Sequence, residues 1–255
     1  MTQDHLAPFS AEALPASADP LAASAAQYAT EVAEQLFQLL IDAVKVRHPY
    51  LEPALEGGPM DPAWTTDQLE ACLRAQGIWF QLLAIAEQNA GMRRRRQTET
   101  ERGPEQVKGT LGQVLHDLAR EGIAGPEQLR TLLQGLRIRP TITAHPTEAK
   151  RVTVLEKHRR IYRKLVDLES PRWTPRERAH LLETLRTDIE LLWMTGELRL
   201  EKPTVPQEVY WGLHFFSETL FEATSETLEK LDRVLGHVWP GEHFEIPPFF
   251  QFGSW

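Results

Sequence analysis

The chain has 255 residues, 42% of them hydrophobic, which is enough for one large domain or two of ordinary size. Its formal net charge of -8 excludes mainly electrostatic nucleic-acid binding, and its single cysteine, Cys72, excludes a disulfide framework or a cysteine-based zinc module. No apolar run reaches the roughly 18 residues of a transmembrane helix and residues 1–19 lack a secretory signal pattern, so we expect a cytoplasmic protein without membrane or nucleic-acid partners.

An arm followed by helices is predicted for the first part of the chain. Residues 1–26 are rich in alanine, serine and proline and are expected to form a flexible arm, with one incomplete domain over residues 27–255. Helical periodicity begins near Gln27, and a longer helix is predicted over residues 66–96. The residues expected to face the core from this longer helix are Leu69, Leu73, Trp79, Leu83 and Ala86.

Two shorter helices and a strand are expected next. Gly122 is the predicted terminator of the first helix, and Pro126 is predicted in the first turn of the second. Residues 138–144 then form a β-branched run that predicts a strand leading into a loop at His145. Helical periodicity resumes after this loop and continues to Leu168.

The last part of the chain predicts two capped helices and a second strand. A capping box opens with Thr174 before a helix expected to run to about Arg199, and a similar signature at Thr204 precedes a long helix through Trp239. Residues 248–255 are rich in aromatic side chains and predict a second strand. Because two short strands are not stable alone, we expect the chain to be part of something longer or to need a partner.

The most specific local motif is the run TAHPTE at residues 143–148. At a strand end, the imidazole of His145 can face a pocket, transfer a proton near neutral pH or stabilise an anion. Thr147 and Glu148 are expected at a helix N-terminus, whose N–H groups attract phosphate or carboxylate. The residues alone also allow an ordinary turn, with Thr147 as the N-cap and His145 on the surface.

Two clusters of cations interrupt the acidic chain. Residues 150–164 contain seven lysines and arginines, typical of an anion site, a charged subunit contact or, more commonly, a solvated helix face. Within this cluster Arg151 is the candidate anion ligand, because we expect it one helical turn after Thr147. The arginine run at residues 93–96 predicts a basic helix end that complements the helix dipole.

Several segments together resemble the phosphoenolpyruvate carboxylase family. Residues 143–151, TAHPTEAKR, are similar to its histidine signature T-A-H-P-T-[EQ]-x-x-R, although Val152 stands where a second basic residue is usual. Residues 80–96 resemble a family helix that ends in an arginine run. The run WMTGELR resembles W-x-T-x-E-[IL]-R, with Gly196 in place of an acidic residue, and the closing FGSW resembles the opening of F-G-S-W-x-G-G-D-R-D-G-N-P.

The resemblance implies an activity. The complete enzyme would carboxylate phosphoenolpyruvate with bicarbonate to oxaloacetate and phosphate, using Mg2+ or Mn2+ bound by residues outside this chain. His145 would act in the carboxyphosphate step as a proton acceptor or charge stabiliser, and Arg151 would position the loop or contact an anion. The implied assembly is a homo-oligomer, and the isolated chain would be inactive.

The resemblance also implies a fold, and it leaves alternatives open. The fold would be mainly α-helical, the N-terminal part of a helix-elaborated α/β barrel of the TIM type, with about two barrel strands in this chain. The competing class is a non-catalytic helical scaffold or a truncated regulatory homologue. A third class is an anion-binding module that uses the basic helix after His145.

Overall fold

The structure, a computed structural model, describes residues 19–142, 151–195 and 204–254. These residues are mainly α-helical, as expected, and they also contain two short strands. The helices are α1 (Pro20–Lys45), α2 (Glu52–Leu55), α3 (Thr66–Arg102), α4 (Leu111–Arg120), α5 (Pro126–Gly135), α6 (Val152–Leu168), α7 (Pro175–Met194), α8 (Val205–Phe215) and α9 (Phe221–Val238). The strands are β1 (Thr141–Ile142) and β2 (Gly253–Ser254), and short 3-10 turns cover Pro49–Leu51 and Pro104–Gln106.

The chain divides into two compact units. The first unit comprises Met1–Arg94 and Ala149–Arg199, and the second comprises Arg95–Glu148 and Leu200–Trp255. Each unit has its own apolar core. Within the described ranges, no helix is both long enough and apolar enough to cross a membrane.

Helix α1 begins at Pro20, earlier than the expected start near Gln27. Asp19 is its N-cap, and the carboxylate accepts a hydrogen bond from the Leu21 N–H at 3.1 Å. Pro20 does not break the helix because the first turn needs no N–H donor from that residue. The earlier part of the expected arm, residues 1–18, lies outside the described residues.

The core of the first unit is formed by α1, α3, α6 and α7. Leu36 and Leu40 of α1 are fully buried, as their spacing predicts. The prediction of which α3 residues face the core is wrong in part, because Leu69 and Leu73 are exposed. The residues that α3 buries are Ala71, Cys72, Ala75, Ile78, Leu82, Ile85, Ala86, Asn89 and Ala90. Most of these buried residues are small, so the large leucines do not mark the buried face of α3.

Helices α6 and α7 pack against each other in the first unit. The apolar spacing predicted for α6 is confirmed, since Val154, Ile161 and Leu165 are buried. Helix α7 ends at Met194, short of the predicted Arg199, and the Thr195 N–H closes the last turn on the Leu192 carbonyl at 3.1 Å.

The core of the second unit is formed by α4, α5, α9 and the segment before β2. Its buried residues are Leu115, Ala124, Leu129, Leu133, Leu231, Leu235, Phe244 and Phe249. Gly122 follows α4 with a φ of +64°, which confirms it as the terminator, because this left-handed conformation favours glycine. Pro126 occupies the first turn of α5, as predicted.

The long helix predicted from Thr204 to Trp239 is present but contains a π turn. Helix α8 passes into π-helical residues Phe216–Leu220, and α9 continues from Phe221. The Thr204 N–H donates to the Gln207 side chain at 2.9 Å, which is half of the predicted capping signature. A π turn inserts one residue into the helical repeat and rotates the side chains that follow it.

Loss of the α7 capping box should lower the stability of the protein. The Glu177 N–H donates to the Thr174 hydroxyl, and the Glu177 carboxylate accepts from the Thr174 N–H at 2.9 Å. Thr174→Ala is therefore expected to lower the free energy of unfolding by about 1 kcal/mol in urea denaturation at pH 7. The control Thr187→Ala changes an exposed threonine within α7 that is not a cap, and it should not lower stability.

The effect of Thr174→Ala should also depend on pH. Hydrogen bonds from Thr174 lower the pKa of the Glu177 carboxyl. A lowered carboxyl pKa stabilises the fold above its ordinary value, and the stabilisation is lost as pH falls through the lowered value. The difference between Thr174→Ala and the parent protein should therefore shrink below about pH 4. A difference that stays constant down to pH 3 would contradict the assigned hydrogen bonds.

Candidate functional site

The two strands pair with each other in parallel in the second unit. Thr141 is opposite Gly253 and Ile142 is opposite Ser254. The pairing begins earlier along both segments, where the Ile138 N–H donates to the Phe249 carbonyl at 2.8 Å and the Gln251 N–H donates to the Ile138 carbonyl at 2.9 Å. Both segments predicted as strands therefore contain one, and they are partners although they are more than a hundred residues apart in sequence.

Aromatic packing anchors the second strand. Phe249 is 2% exposed and belongs to the core of the second unit, which also contains Leu235 of α9. The rings of Phe249 and Phe250 lie 4.7 Å apart between centroids. Burial of a phenylalanine side chain is worth about 2 kcal/mol or more. The backbone pairing of Ile138 is thus attached to the apolar core of the unit.

The parallel pairing determines at which edge of the sheet strand β1 ends and the histidine motif begins. Because the strands are parallel, their carboxyl ends lie at the same edge. The motif at residues 143–148 follows the carboxyl end of β1 directly, and α/β enzymes carry their reacting groups at this edge. His145 itself, with Thr147 and Glu148, lies outside the described residues, so its catalytic role stays a prediction.

Arg151 is described, and it lies at the start of α6. Its backbone is extended, with φ of -70° and ψ of 143°, and its carbonyl accepts from the Val154 N–H at 2.9 Å. Arg151 is therefore the N-cap of α6, and the expectation that it lies within the helix, one turn after Thr147, is wrong. Val152, which stands where the family usually has a second basic residue, begins the helix. The side chain of Arg151 is exposed.

Part of the basic cluster of α6 has a structural role in the first unit. Lys164 donates to the Asp188 carboxylate at 2.6 Å and to the Thr184 carbonyl at 2.7 Å. Arg160 lies 3.8 Å from the same carboxylate. The Asp188 side chain is only 5% exposed, so the cluster neutralises a buried charge on α7. The contacts of Lys164 and Arg160 with Asp188 show that the basic cluster is not a wholly solvated helix face. They also show that the seven cations do not all serve an anion site.

The arginine run of α3 also differs from its prediction. Helix α3 continues to Arg102 and stops before Gly103, whose φ is +94°, so residues 93–96 do not form the helix end. The Arg93 guanidinium lies over the Tyr28 ring at 4.0 Å, and the Tyr28 hydroxyl donates to the buried Asn89 at 3.0 Å. Arg93 therefore attaches α3 to α1 through a cation–π contact.

Sequence reasoning missed an aromatic cluster around Trp193. Trp193, the first residue of the WMTGELR run, is 2% exposed, and the Arg74 guanidinium lies 4.2 Å from its ring centroid. The His48 ring is nearly perpendicular to the same indole, with 5.5 Å between ring centroids, and His48 Nδ1 is 3.1 Å from the Tyr50 hydroxyl. Burial, helped by the charges of nearby arginines, lowers the pKa of His48. A tryptophan late in an amphipathic helix was the available signal.

No metal centre is found among the side chains that the structure describes. No group of three or more histidine, cysteine, aspartate or glutamate side chains within residues 19–142, 151–195 and 204–254 could hold a metal ion. Cys72 is a buried free thiol, and burial raises its pKa, which disfavours the thiolate that would bind a metal.

Fold and sequence together define a class of protein. It is mainly helical and carries a histidine motif directly after the carboxyl end of a parallel strand. Comparison with known proteins identifies the family. The sequence model described as "Phosphoenolpyruvate carboxylase" matches residues 62–255, and the chain belongs to the phosphoenolpyruvate carboxylase family.

Curated relatives agree with this family. The phosphoenolpyruvate carboxylase of Methylorubrum extorquens is 57% identical over 228 residues, which cover 89% of this chain and 25% of the relative. The carboxylase of Chromobacterium violaceum is 35% identical over 76% of this chain and 21% of the relative. The carboxylase of Rhodothermus marinus is 36% identical over 75% of this chain and 20% of the relative. The chain thus spans about a quarter or a fifth of the length of these relatives.

The Lys164–Asp188 pair gives a test of the first unit. Lys164→Met leaves the buried Asp188 carboxylate without its closest cation, so the free energy of unfolding should fall by about 3 kcal/mol in urea denaturation. The control Lys157→Met, on the same helix, should change it by less than about 0.5 kcal/mol. The double variant Lys164→Met with Asp188→Leu should recover most of the loss. Equal effects of the two single variants would contradict the assigned role of Asp188.

Proposed function

We propose that this chain contributes the histidine loop of a phosphoenolpyruvate carboxylase, which converts phosphoenolpyruvate and bicarbonate to oxaloacetate and phosphate. The observation that carries the proposal is the position of the TAHPTEAKR motif, which begins directly after the carboxyl end of β1 beside a parallel partner. Family membership and the names of the curated relatives support the same activity.

The proposed reaction has two parts. A bicarbonate oxygen attacks phosphorus, and the bond from phosphorus to the enol oxygen breaks, which gives carboxyphosphate and the enolate of pyruvate. Carboxyphosphate then releases CO2 and phosphate, and the enolate carbon attacks CO2 to form oxaloacetate. His145 accepts the bicarbonate proton or, when protonated, stabilises the charge of carboxyphosphate. A histidine suits both tasks because its ordinary pKa lies close to neutral pH.

Arg151 is a separate candidate anion ligand. Its side chain is exposed at the start of α6. We assign it contact with an anion or positioning of the loop that precedes it in sequence. A guanidinium can bind a carboxylate or phosphate through two parallel hydrogen bonds.

The metal, the complete fold and the assembly belong to the same proposal. Mg2+ or Mn2+ would neutralise charge on the phosphorylated substrate, and its ligands would come from residues outside this chain. The strand pair β1 and β2 would be part of a TIM-type α/β barrel surrounded by helices, and the functional form would be a homo-oligomer. A cytoplasmic location is consistent with the single buried thiol, because reducing compartments hold proteins with free cysteines.

Replacing the motif histidine tests the activity. We suggest replacing the matching quarter of the Methylorubrum extorquens carboxylase by this chain and measuring oxaloacetate formation through NADH oxidation by malate dehydrogenase. His145→Asn should lower kcat by at least about 100-fold, the usual effect of removing a general base, without changing the melting temperature. The control His180→Asn changes an exposed histidine of α7 and should leave kcat unchanged. Full activity of the His145→Asn chimera would contradict the catalytic assignment.

The second candidate is a non-catalytic scaffold or a truncated regulatory homologue. The matched part is about a quarter of the Methylorubrum extorquens relative, so activity of the chain has to be tested within a full-length enzyme. The chimera separates the two candidates, because a scaffold would give an inactive chimera that folds, whereas a catalytic segment would give an active one. The isolated chain should be inactive under either candidate.

A further inference from the structure

Helix α8 and the start of α9 present an unusually apolar surface to solvent in the second unit. Tyr210 is 72% exposed and Phe221 is 78% exposed. We define the apolar face by its exposed members, which are Val205, Val209, Tyr210, Leu213 and Phe221. An exposed patch of several large apolar side chains marks an interaction surface more often than scattered single residues do.

The apolar face borders an open cleft of about 810 Å³. Phe216 and Phe252 form part of its wall, with their rings edge to face at 5.2 Å between centroids. Phe216 is the first residue of the π turn, and Phe221, the first residue of α9, follows that turn. Phe215 is 37% exposed, and neither Phe215 nor Phe216 belongs to a buried core cluster.

The charge pattern of this region distinguishes it from an ordinary solvated helix. From Val205 to Phe221 the only acidic residues are Glu208 and Glu218, and there is no lysine or arginine. Charged residues make up 25% of the whole chain, so this stretch is depleted in charge. Depletion of charge with enrichment of tyrosine and phenylalanine is typical of the centre of a protein interface.

We propose that the apolar face is covered by the part of a phosphoenolpyruvate carboxylase subunit that this chain does not span. Two observations select this occupant. The relatives extend over about four times the matched length, so a large polypeptide is available to pack here. The face is also continuous with the strand pair, because Phe252 of the cleft directly precedes β2. The inference rests on family membership and does not require that the carboxylase activity proposed above be correct.

The strand pair supports the same occupant. In the described part of the chain the sheet contains only β1 and β2. Parallel strands are normally covered on both faces and are not stable as an isolated pair. A polypeptide that packs on Phe252 and Phe216 is placed next to β2 and can cover the sheet and the apolar face together.

Hydroxyl-radical footprinting can test this proposal directly. Oxidation of Phe221 and Tyr210 would be measured by mass spectrometry in the 255-residue chain and in the Methylorubrum extorquens chimera. We expect both residues to oxidise in the isolated chain at rates similar to that of Phe80, an exposed phenylalanine of the first unit. In the chimera their oxidation should fall by at least about fivefold, as for side chains buried in an interface. The oxidation rates do not depend on enzymatic activity. An inactive chimera would therefore contradict the proposed function without contradicting this inference.

Two results would overturn the proposal. Equal oxidation of Phe221 and Tyr210 in both proteins would show that the face stays in solvent. Protection in the isolated chain that disappears on dilution would show that a second copy of this chain is the occupant.

A measurement on the isolated chain keeps the proposal testable if the chimera does not fold. The apolar face should bind the fluorescent probe anilinonaphthalene sulfonate, and the double variant Tyr210→Ser with Phe221→Ser should lose most of that fluorescence. The control Glu222→Ser, one residue further along α9, should keep it. Unchanged fluorescence of the double variant would show that the face is not an accessible apolar surface and would overturn the proposal.

Discussion

The candidate site depends on one constraint, the parallel backbone pairing of two segments. One segment contains Ile138, and the other follows Phe249. These two segments are distant in sequence, so closing the loop between them costs conformational entropy that local hydrogen bonds alone do not offset. Burial of Phe249 beside Leu235 provides the stabilisation. The consequence is chemical, because the pairing fixes the direction in which the chain leaves β1 and enters the histidine motif.

Much of the local structure could be predicted because its causes are local. The spacing of Leu36 and Leu40 identified the buried side of α1, and the Thr174 capping box identified the first residue of α7. Gly122 ended α4 because its left-handed conformation is a property of one residue. The two strand segments were likewise recognisable from their β-branched and aromatic composition. The family followed from motifs, and the comparisons confirm it.

The remaining features depend on residues that are remote in sequence. No local pattern shows that Asp188 is buried, because its partner Lys164 lies on another helix. The inward face of α3 was misassigned because small residues such as Ala75 pack against neighbouring helices while the larger Leu73 is exposed. The π turn at Phe216 has no signature in an otherwise regular helical pattern. For the same reason the exposed face of α8 could only be recognised once the core of the second unit was defined.

Amide hydrogen exchange at Ile138 and Gln251, measured by NMR on the 255-residue chain, is the sharpest test of the strand pairing. Both N–H groups donate across the strand pair. We expect both to exchange far more slowly than in an unstructured peptide, and we expect Phe249→Ala to remove the protection of both together. Exchange of these two amides at unstructured rates, in a chain whose α9 amides remain protected, would contradict the pairing and, with it, the placement of the histidine motif at a strand end.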